Sequence, residues 1–338
     1  MHLPGRSTAK RVLFQGILAG IGLMLTLATV VVRGPEAGEV QQAPANMDSA
    51  ELERILELHR TEREEVRLVL LPAVVLTKKG RPVRGLTAEN FQLFEDHVPH
   101  EIRYFGTEDQ EPVSIAFLLD LSGSMRQVGK LDEAKEAIRV FVDALQPGDR
   151  FGLIGFADEQ VTWVTEFTDD HDRFLLRLGV QEAYGQTALF DALGATPRLV
   201  DRETKGRKAI VLITDGHDNA SKMNTFKAVQ LARSVEVPIY TIAFSTMADR
   251  LLPKGSVSPG MSILGRFSRE TGGKIFAVAD PDELKDAVIG IQDELRFQYV
   301  IGYHSMRDTW DGAFRRIKIE LDRKGLEIRT RRGYYATP

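Results

Sequence analysis

The sequence predicts an α/β fold: a doubly wound, mostly parallel sheet with one antiparallel edge strand. A small, discontinuous β domain and an N-terminal transmembrane helix accompany it. Three observations predict this. Strand-like and helix-like segments alternate between residues 111 and 295, as a parallel sheet covered on both faces requires. Hydrophobic alternation with a period of two flanks that region on both sides. An uncharged apolar run, residues 12–32, follows a basic start.

The chain opens with Arg6, Lys10 and Arg11, and only Gln15, Thr26 and Thr29 interrupt the apolar run behind them. About 20 apolar residues cross a bilayer as a helix, and the basic flank stays in the cytoplasm. Residues 1–33 therefore read as a signal anchor, with the rest of the chain on the periplasmic or cell-surface side. A buried core helix is the competing reading, at odds with the terminal position and the wholly basic flank. Ala43 and Ala45 form an A-x-A pair, but well past the run. A retained anchor is expected, and a secreted chain if the segment is cleaved. Residues 34–65 read as a linker and a short helix, with Asp48 as N-cap and Glu51 completing a capping box.

Residues 66–110 form the first part of the β domain. Val66, Leu68 and Leu70 alternate with Arg67 and others until Pro72, which points to an edge. Phe91 and Leu93, then Ile102 and Tyr104, flank a turn at Glu95-Asp96-His97. Residues 111–295 carry the α/β pattern. The continuous apolar run 115–119 is a strand buried on both faces. Leu131, Ala134, Ile138, Phe141, Val142 and Leu145 recur at helical spacing. Further strands are expected at 150–156, 161–166, 208–214, 237–244 and 274–278, with helices near 171–179, 187–195, 225–234 and 262–271. Segments 150–156 and 161–166 stand too close for a crossover helix, so one edge strand is antiparallel. Pro197 should kink or shorten the helix that Thr187 opens. Asp280, Pro281 and Glu283 mark the start of the last helix. From 296 to 338 the period returns to two, and these strands are expected to complete the β domain.

Of 338 residues, 43% are hydrophobic and 27% charged, as in soluble globular proteins. The 44 basic and 48 acidic residues give a net charge of −4. Residues 1–33 hold Arg6, Lys10, Arg11 and Arg33 and no acid, so the remainder stands at 40 against 48, or −8. That balance argues against a nucleic-acid partner. With no cysteine, disulfide scaffolds, thiol nucleophiles, thiolate zinc sites and cysteine-ligated iron–sulfur clusters are excluded.

One constellation carries chemistry. The first α/β strand ends in Asp120-Leu-Ser122-Gly-Ser124, and the strand at 208–214 ends in Thr214-Asp215-Gly216. Between them, Gly185-Gln-Thr187 opens a helix. Ligands of doubly wound sheets bind beyond the carboxyl ends of strands, where strand order reverses, so Asp120 and Asp215 are expected to face one crevice. Asp120, Ser122, Ser124, Thr187 and Asp215 offer oxygens alone, which suits Mg²⁺, Mn²⁺ or Ca²⁺ rather than zinc. These five oxygens leave a coordination position of a six-coordinate ion free, and an outside carboxylate could complete its shell. The competing reading makes Ser122 and Ser124 a helix cap and Asp215 a turn residue.

This stretch resembles the von Willebrand factor type A domain and its metal-ion-dependent adhesion site. The family's D-x-S-x-S motif matches Asp120, Ser122 and Ser124, its threonine matches Thr187, and its T-D-G turn matches Thr214, Asp215 and Gly216. Residues 83–96 and the ending Tyr303…Arg332-Gly-Tyr334 are similar to a bacterial exported family of related proteins. The resemblance implies the metal site, the architecture and an envelope location, but brings no established activity. The complete oxygen-ligand set with a free coordination position points to a non-enzymatic binding module, to which a partner protein presents Asp or Glu.

Other features carry less. His217 and Asp218 lack a G-x-S-x-G nucleophile elbow and read as turn polarity. The segment from Gly179 to Thr187 has Gln186 where a P-loop needs lysine, and H-E-x-x-H is absent. A loop from Ser245 to Ser262 leaves the metal face carrying Arg250, Leu251, Leu252 and Lys254, a candidate partner-binding rim. Two alternatives to an adhesion or scaffold module are a structural protein whose metal stabilises the fold and, with no general base in view, a metal-dependent hydrolase.

Overall fold

A computed structural model describes residues 68–108, 112–204, 207–245, 251–253, 256–307 and 309–336. The anchor, linker and capped-helix readings of residues 1–65 lie outside them. Among the described residues no helix is long and apolar enough to cross a membrane. The described residues belong to one compact unit, 65–338.

Four strands come first: β1 (Leu68–Thr77), β2 (Phe91–Glu95), β3 (Val98–His100) and β4 (Tyr104–Glu108). The α/β region follows as β5 (Val113–Asp120), α1 (Lys130–Asp143), β6 (Arg150–Ala157), β7 (Gln160–Thr168), α2 (His171–Gly179), α3 (Leu189–Glu203) and β8 (Arg207–Thr214). It continues with α4 (Thr225–Arg233), β9 (Ile239–Phe244), α5 (Pro259–Thr271), β10 (Ile275–Val278) and α6 (Pro281–Arg296). The chain closes with β11 (Gln298–His304), β12 (Phe314–Leu321), β13 (Leu326–Thr330) and β14 (Gly333–Tyr335).

The first and last groups of strands pair with each other. One four-stranded sheet has the order β13-β1-β11-β4 and the other β14-β12-β2-β3. Alternation places their apolar faces: β12 buries Ile317 and Ile319 while Lys318 and Glu320 stay exposed. Leu71, Leu93, Ile301 and Tyr303 meet them in one core. Two local expectations are corrected here. Pro72 does not mark an edge strand, because β1 lies between β11 and β13. The strand tolerates Pro72 because it pairs Val300 on the β11 side while the β13 ladder begins at Ala73, so no bond on that flank needs the missing N–H. Glu95 is not a solvated turn residue but is 2% exposed. The turn falls on Asp96 and His97, both at positive φ, which aims Glu95 inward.

The six-stranded sheet has the order β10-β9-β8-β5-β6-β7. It is parallel except for β7, which runs antiparallel to β6 at one edge. All eight residues of β5 are buried. Ile115, Phe117 and Leu119 pack on one face with Ile138 and Phe141 of α1, while Ala116 and Leu118 pack on the other with Leu193 of α3 and Leu212 of β8. Two-sided burial is why this strand reads as an unbroken apolar run. The expected shortening at Pro197 does not occur, for α3 runs on to Glu203 with Pro197 inside it. Proline removes a backbone donor, and the helix is held there by burial of Thr196, Pro197 and Val200 and by a 2.7 Å bond from the Thr196 hydroxyl to the Ala192 carbonyl.

Between β5 and β8 the strand order reverses. The carboxyl ends of these adjacent, parallel strands therefore open the crevice in which an α/β sheet presents a ligand site.

Candidate metal centre

Asp120 ends β5 and Thr214 ends β8, so the register of the sheet sets Asp120 beside the Thr214-Asp215 turn. The Thr214 hydroxyl donates to Asp120 Oδ2 at 2.6 Å, and the Ser122 amide donates to Oδ1 at 2.9 Å. Both oxygens of Asp120 are thus oriented. The chain turns through a 3-10 helix, Gly123–Gly129, and the Ser122 and Ser124 hydroxyls meet at 3.0 Å. Asp120, Ser122, Thr187 and Asp215 are buried, and Ser124 is half-buried.

Thr187 arrives from a separate loop that is tied down on three sides. The Gly123 amide donates to the Gly185 carbonyl at 3.0 Å. Asp158 accepts from the Gln186 amide and returns its own amide to the Gln186 carbonyl, both at 2.7 Å. Gly185 has φ +63°, and a Cβ there would stand 2.3 Å from the Asp158 carboxylate, so this turn requires glycine. From the third side, Asn219 Oδ1 accepts from the Thr187 amide at 2.8 Å, while the Asn219 and Ala220 amides donate to the Thr187 carbonyl.

The electrostatics follow from burial. Desolvation pushes the Asp120 carboxyl up to about 6, against the hydrogen bonds from Thr214 and Ser122, and the Asp215 charge adds to the rise. Asp215 Oδ2 receives the ammonium of Lys130 at 2.9 Å.

Three contributors escape sequence reasoning. Lys130 is one; its signal is a cation at the first position of α1, where the helix dipole disfavours positive charge. Asn219 is the second, fixing the Thr187 backbone. Asp218, read as turn polarity, accepts from the Leu189 amide at 2.9 Å and from the Ser221 hydroxyl at 2.5 Å, and Ser221 in turn accepts from the Phe190 amide. Together they cap α3, and the D-x-x-S spacing was the available signal.

The rim loop is only partly described. Arg250 and Lys254 lie outside the described residues, Leu251 is 83% exposed and Leu252 is 38% exposed. Helix α5 starts three residues earlier than expected, at Pro259, with Ser258 as its N-cap. Its first turn and His217 wall a cavity of about 420 Å³ beside Asp215, completed by Leu189, Phe190 and Ile263.

The donor set fits a hard divalent cation. Two buried carboxylates and three hydroxyls sit at adjoining strand and loop ends, and a cationic side chain already rests against one of the carboxylates. Among the described residues no group of three or more His, Cys, Asp or Glu side chains gathers. Metal binding here would therefore depend on the hydroxyls as well as the carboxylates.

Comparison with known proteins finds relatives of low identity and one family model. An uncharacterized protein of Borreliella burgdorferi is 25% identical over 231 residues, covering 63% of this chain and 62% of that one. A UPF0353 protein of Mycolicibacterium gilvum is 25% identical over 210 residues, covering 56% of this chain and 62% of the relative. The chain thus spans about three fifths of the length of these curated relatives. Among solved structures, the conserved hypothetical protein BatB from Bacteroides thetaiotaomicron matches with a TM-score of 0.42 at 19% identity, over 54% of this chain and 98% of that one. The model of the von Willebrand factor type A domain matches residues 114–288, more than half of the 338 residues. The chain belongs to the von Willebrand factor type A domain family.

Proposed function

We propose that the crevice between β5 and β8 is a divalent-cation-dependent protein-binding site of an envelope-anchored or exported module, without enzymatic activity. The observation that carries this reading is the convergence of Asp120, Ser122, Ser124 and Asp215 on one strand-order reversal, with Thr187 braced beside them. These five residues would hold Mg²⁺, with Mn²⁺ or Ca²⁺ as alternatives. A bound divalent ion supplies a Lewis-acidic position for an Asp or Glu carboxylate of a partner protein.

The chain's own residues do the rest. Thr214 and the Ser122 amide orient Asp120. Asn219 and Asp158 hold the Thr187 loop against the crevice. The cavity beside Asp215 gives the segment around the partner's carboxylate an apolar bed. The exposed Leu251 and Leu252, with the basic Arg250 and Lys254 in the same segment, are read as the rim that contacts the partner. Anchoring draws its support from the apolar run at 12–32, whose basic flank favours the cytoplasmic side and leaves the module on the other.

The test is calorimetric titration of MgCl₂ into the full chain in detergent, beside partner capture in Mg²⁺ and in EDTA. Asp120→Ala and Asp215→Ala should each abolish both divalent binding and capture. Capture that persists in EDTA contradicts the mechanism. A second reading, a metal that serves the fold alone, draws on the cost of burying Asp120 beside Asp215. It predicts Mg²⁺-dependent melting with capture unchanged in both variants.

A further inference from the structure

We propose that Lys130 is a built-in counter-ion that a divalent cation must displace from Asp215, so that this lysine sets how tightly the crevice retains the ion. The inference rests on the cation reading above and concerns the regulation of that same site.

The Asp215 side chain is fully buried, and its Oδ2 lies 2.9 Å from the Lys130 ammonium, whose side chain is 17% exposed. A buried carboxylate without a partner is strongly destabilising, so in the absence of metal the lysine compensates a charge that water cannot reach. The helix dipole disfavours a cation there, because Lys130 is the first residue of α1 and faces its positive end, although Asp132 and Glu133 share the first turn. What holds the ammonium is Asp215.

The same position is the one a divalent ion needs. A doubly charged ion and an ammonium cannot share Asp215 Oδ2 without strong repulsion in a site shielded from water. Lysine is suited to yield, for it carries its charge on a flexible four-carbon stem, and this one already reaches solvent in part. Metal entry is then an exchange of cations at Asp215, and apparent affinity is lowered by the cost of moving the ammonium out. The metal-free crevice keeps its shape in return.

The experiment titrates MgCl₂ and MnCl₂ calorimetrically into the full chain in detergent, as wild type, Lys130→Gln and Lys130→Arg. Lys130→Gln is expected to bind about tenfold more tightly than wild type, and Lys130→Arg, which keeps the charge, within about threefold of it. In EDTA, Lys130→Gln should melt below wild type, and in saturating Mg²⁺ at or above it. A second readout uses wild type alone. Acylation of the Lys130 amine, followed by mass spectrometry, should be slow in EDTA and several times faster in Mg²⁺; it decides the matter even where Lys130→Gln does not fold. Equal or weaker binding by Lys130→Gln overturns the inference. So does acylation unchanged by a Mg²⁺ concentration that shifts wild-type melting. No heat, no melting shift and no change in acylation for any variant contradicts the cation reading itself, and this proposal with it.

Discussion

Among the places where the described residues bury acidic side chains, the β sandwich and the crevice treat them in opposite ways. In the β sandwich, Glu95 accepts from the hydroxyls of Tyr303, Tyr334 and Ser305 and lies 3.5 Å from the Arg315 guanidinium, which is 1% exposed. Burial raises both tyrosines above their ordinary values, so both hydroxyls keep the protons they donate. In the crevice, the charge of Asp215 bears on Asp120, and one lysine meets Asp215. There the Ser122 and Ser124 hydroxyls turn to each other. The sandwich cluster matches its carboxylate with a guanidinium, though Arg315 Nε stays without a hydrogen bond, whereas the crevice sets two carboxylates against one lysine. A charge-matched cluster specifies structure, and one with a carboxylate in excess can admit a cation.

The largest expected effect falls on the sandwich cluster. Glu95→Ala leaves Arg315 buried without its carboxylate and should cost about 3–5 kcal/mol by chemical denaturation. The loss should be equal in Mg²⁺ and in EDTA; a loss that Mg²⁺ relieves would break the contrast.

The crevice should respond with the opposite sign. Asp120 titrates at about 6 in the folded chain against an ordinary 3.8. The folded state therefore holds a proton that the unfolded chain has released between those values. Its contribution to stability is present below about pH 4 and lost as pH rises through 6, to roughly 3 kcal/mol at neutral pH. In EDTA at pH 7, Asp120→Asn should raise stability by up to that amount and flatten the pH dependence between 4 and 7, while removing any response to Mg²⁺. Denaturation curves across that range check it, and a destabilised metal-free variant would contradict the account.

Smaller effects sharpen the contrast. Asp218→Ala removes the cap of α3 and should cost about 1 kcal/mol. It should also weaken Mg²⁺ binding measurably in calorimetry, because the same loop braces Thr187. Tyr334→Phe deletes one hydroxyl bond to Glu95 and should cost about 1 kcal/mol with Mg²⁺ affinity unchanged.

How much of this was legible in the sequence depended on whether local pattern carried the information. The apolar run of β5 could be read because both faces of that strand are covered. The oxygen-bearing positions could be read because they cluster at strand ends, where the register of β5 and β8 then sets Asp120 beside Thr214. Glu95 was misread because the residues that bury it, Tyr303, Arg315 and Tyr334, stand far along the chain and no local period reports them. Lys130 was missed because helical periodicity marks apolar positions, and a lysine opening a helix looks like part of a solvated face. Pro72 and Pro197 misled for one shared reason. The rule that proline breaks an element assumes that the backbone donor is needed, and β1 and α3 each place proline where packing and a neighbouring bond hold the chain.

The central claim, that the crevice takes a divalent cation, is tested most directly by Mg²⁺-dependent stability of the full chain in detergent, wild type beside Asp215→Ala. A site that binds only the folded state should stabilise wild type by about 2.7 kcal/mol when free Mg²⁺ reaches a hundredfold above its Kd, with no change in Asp215→Ala. Wild type and variant responding alike to Mg²⁺, or neither responding, would contradict it.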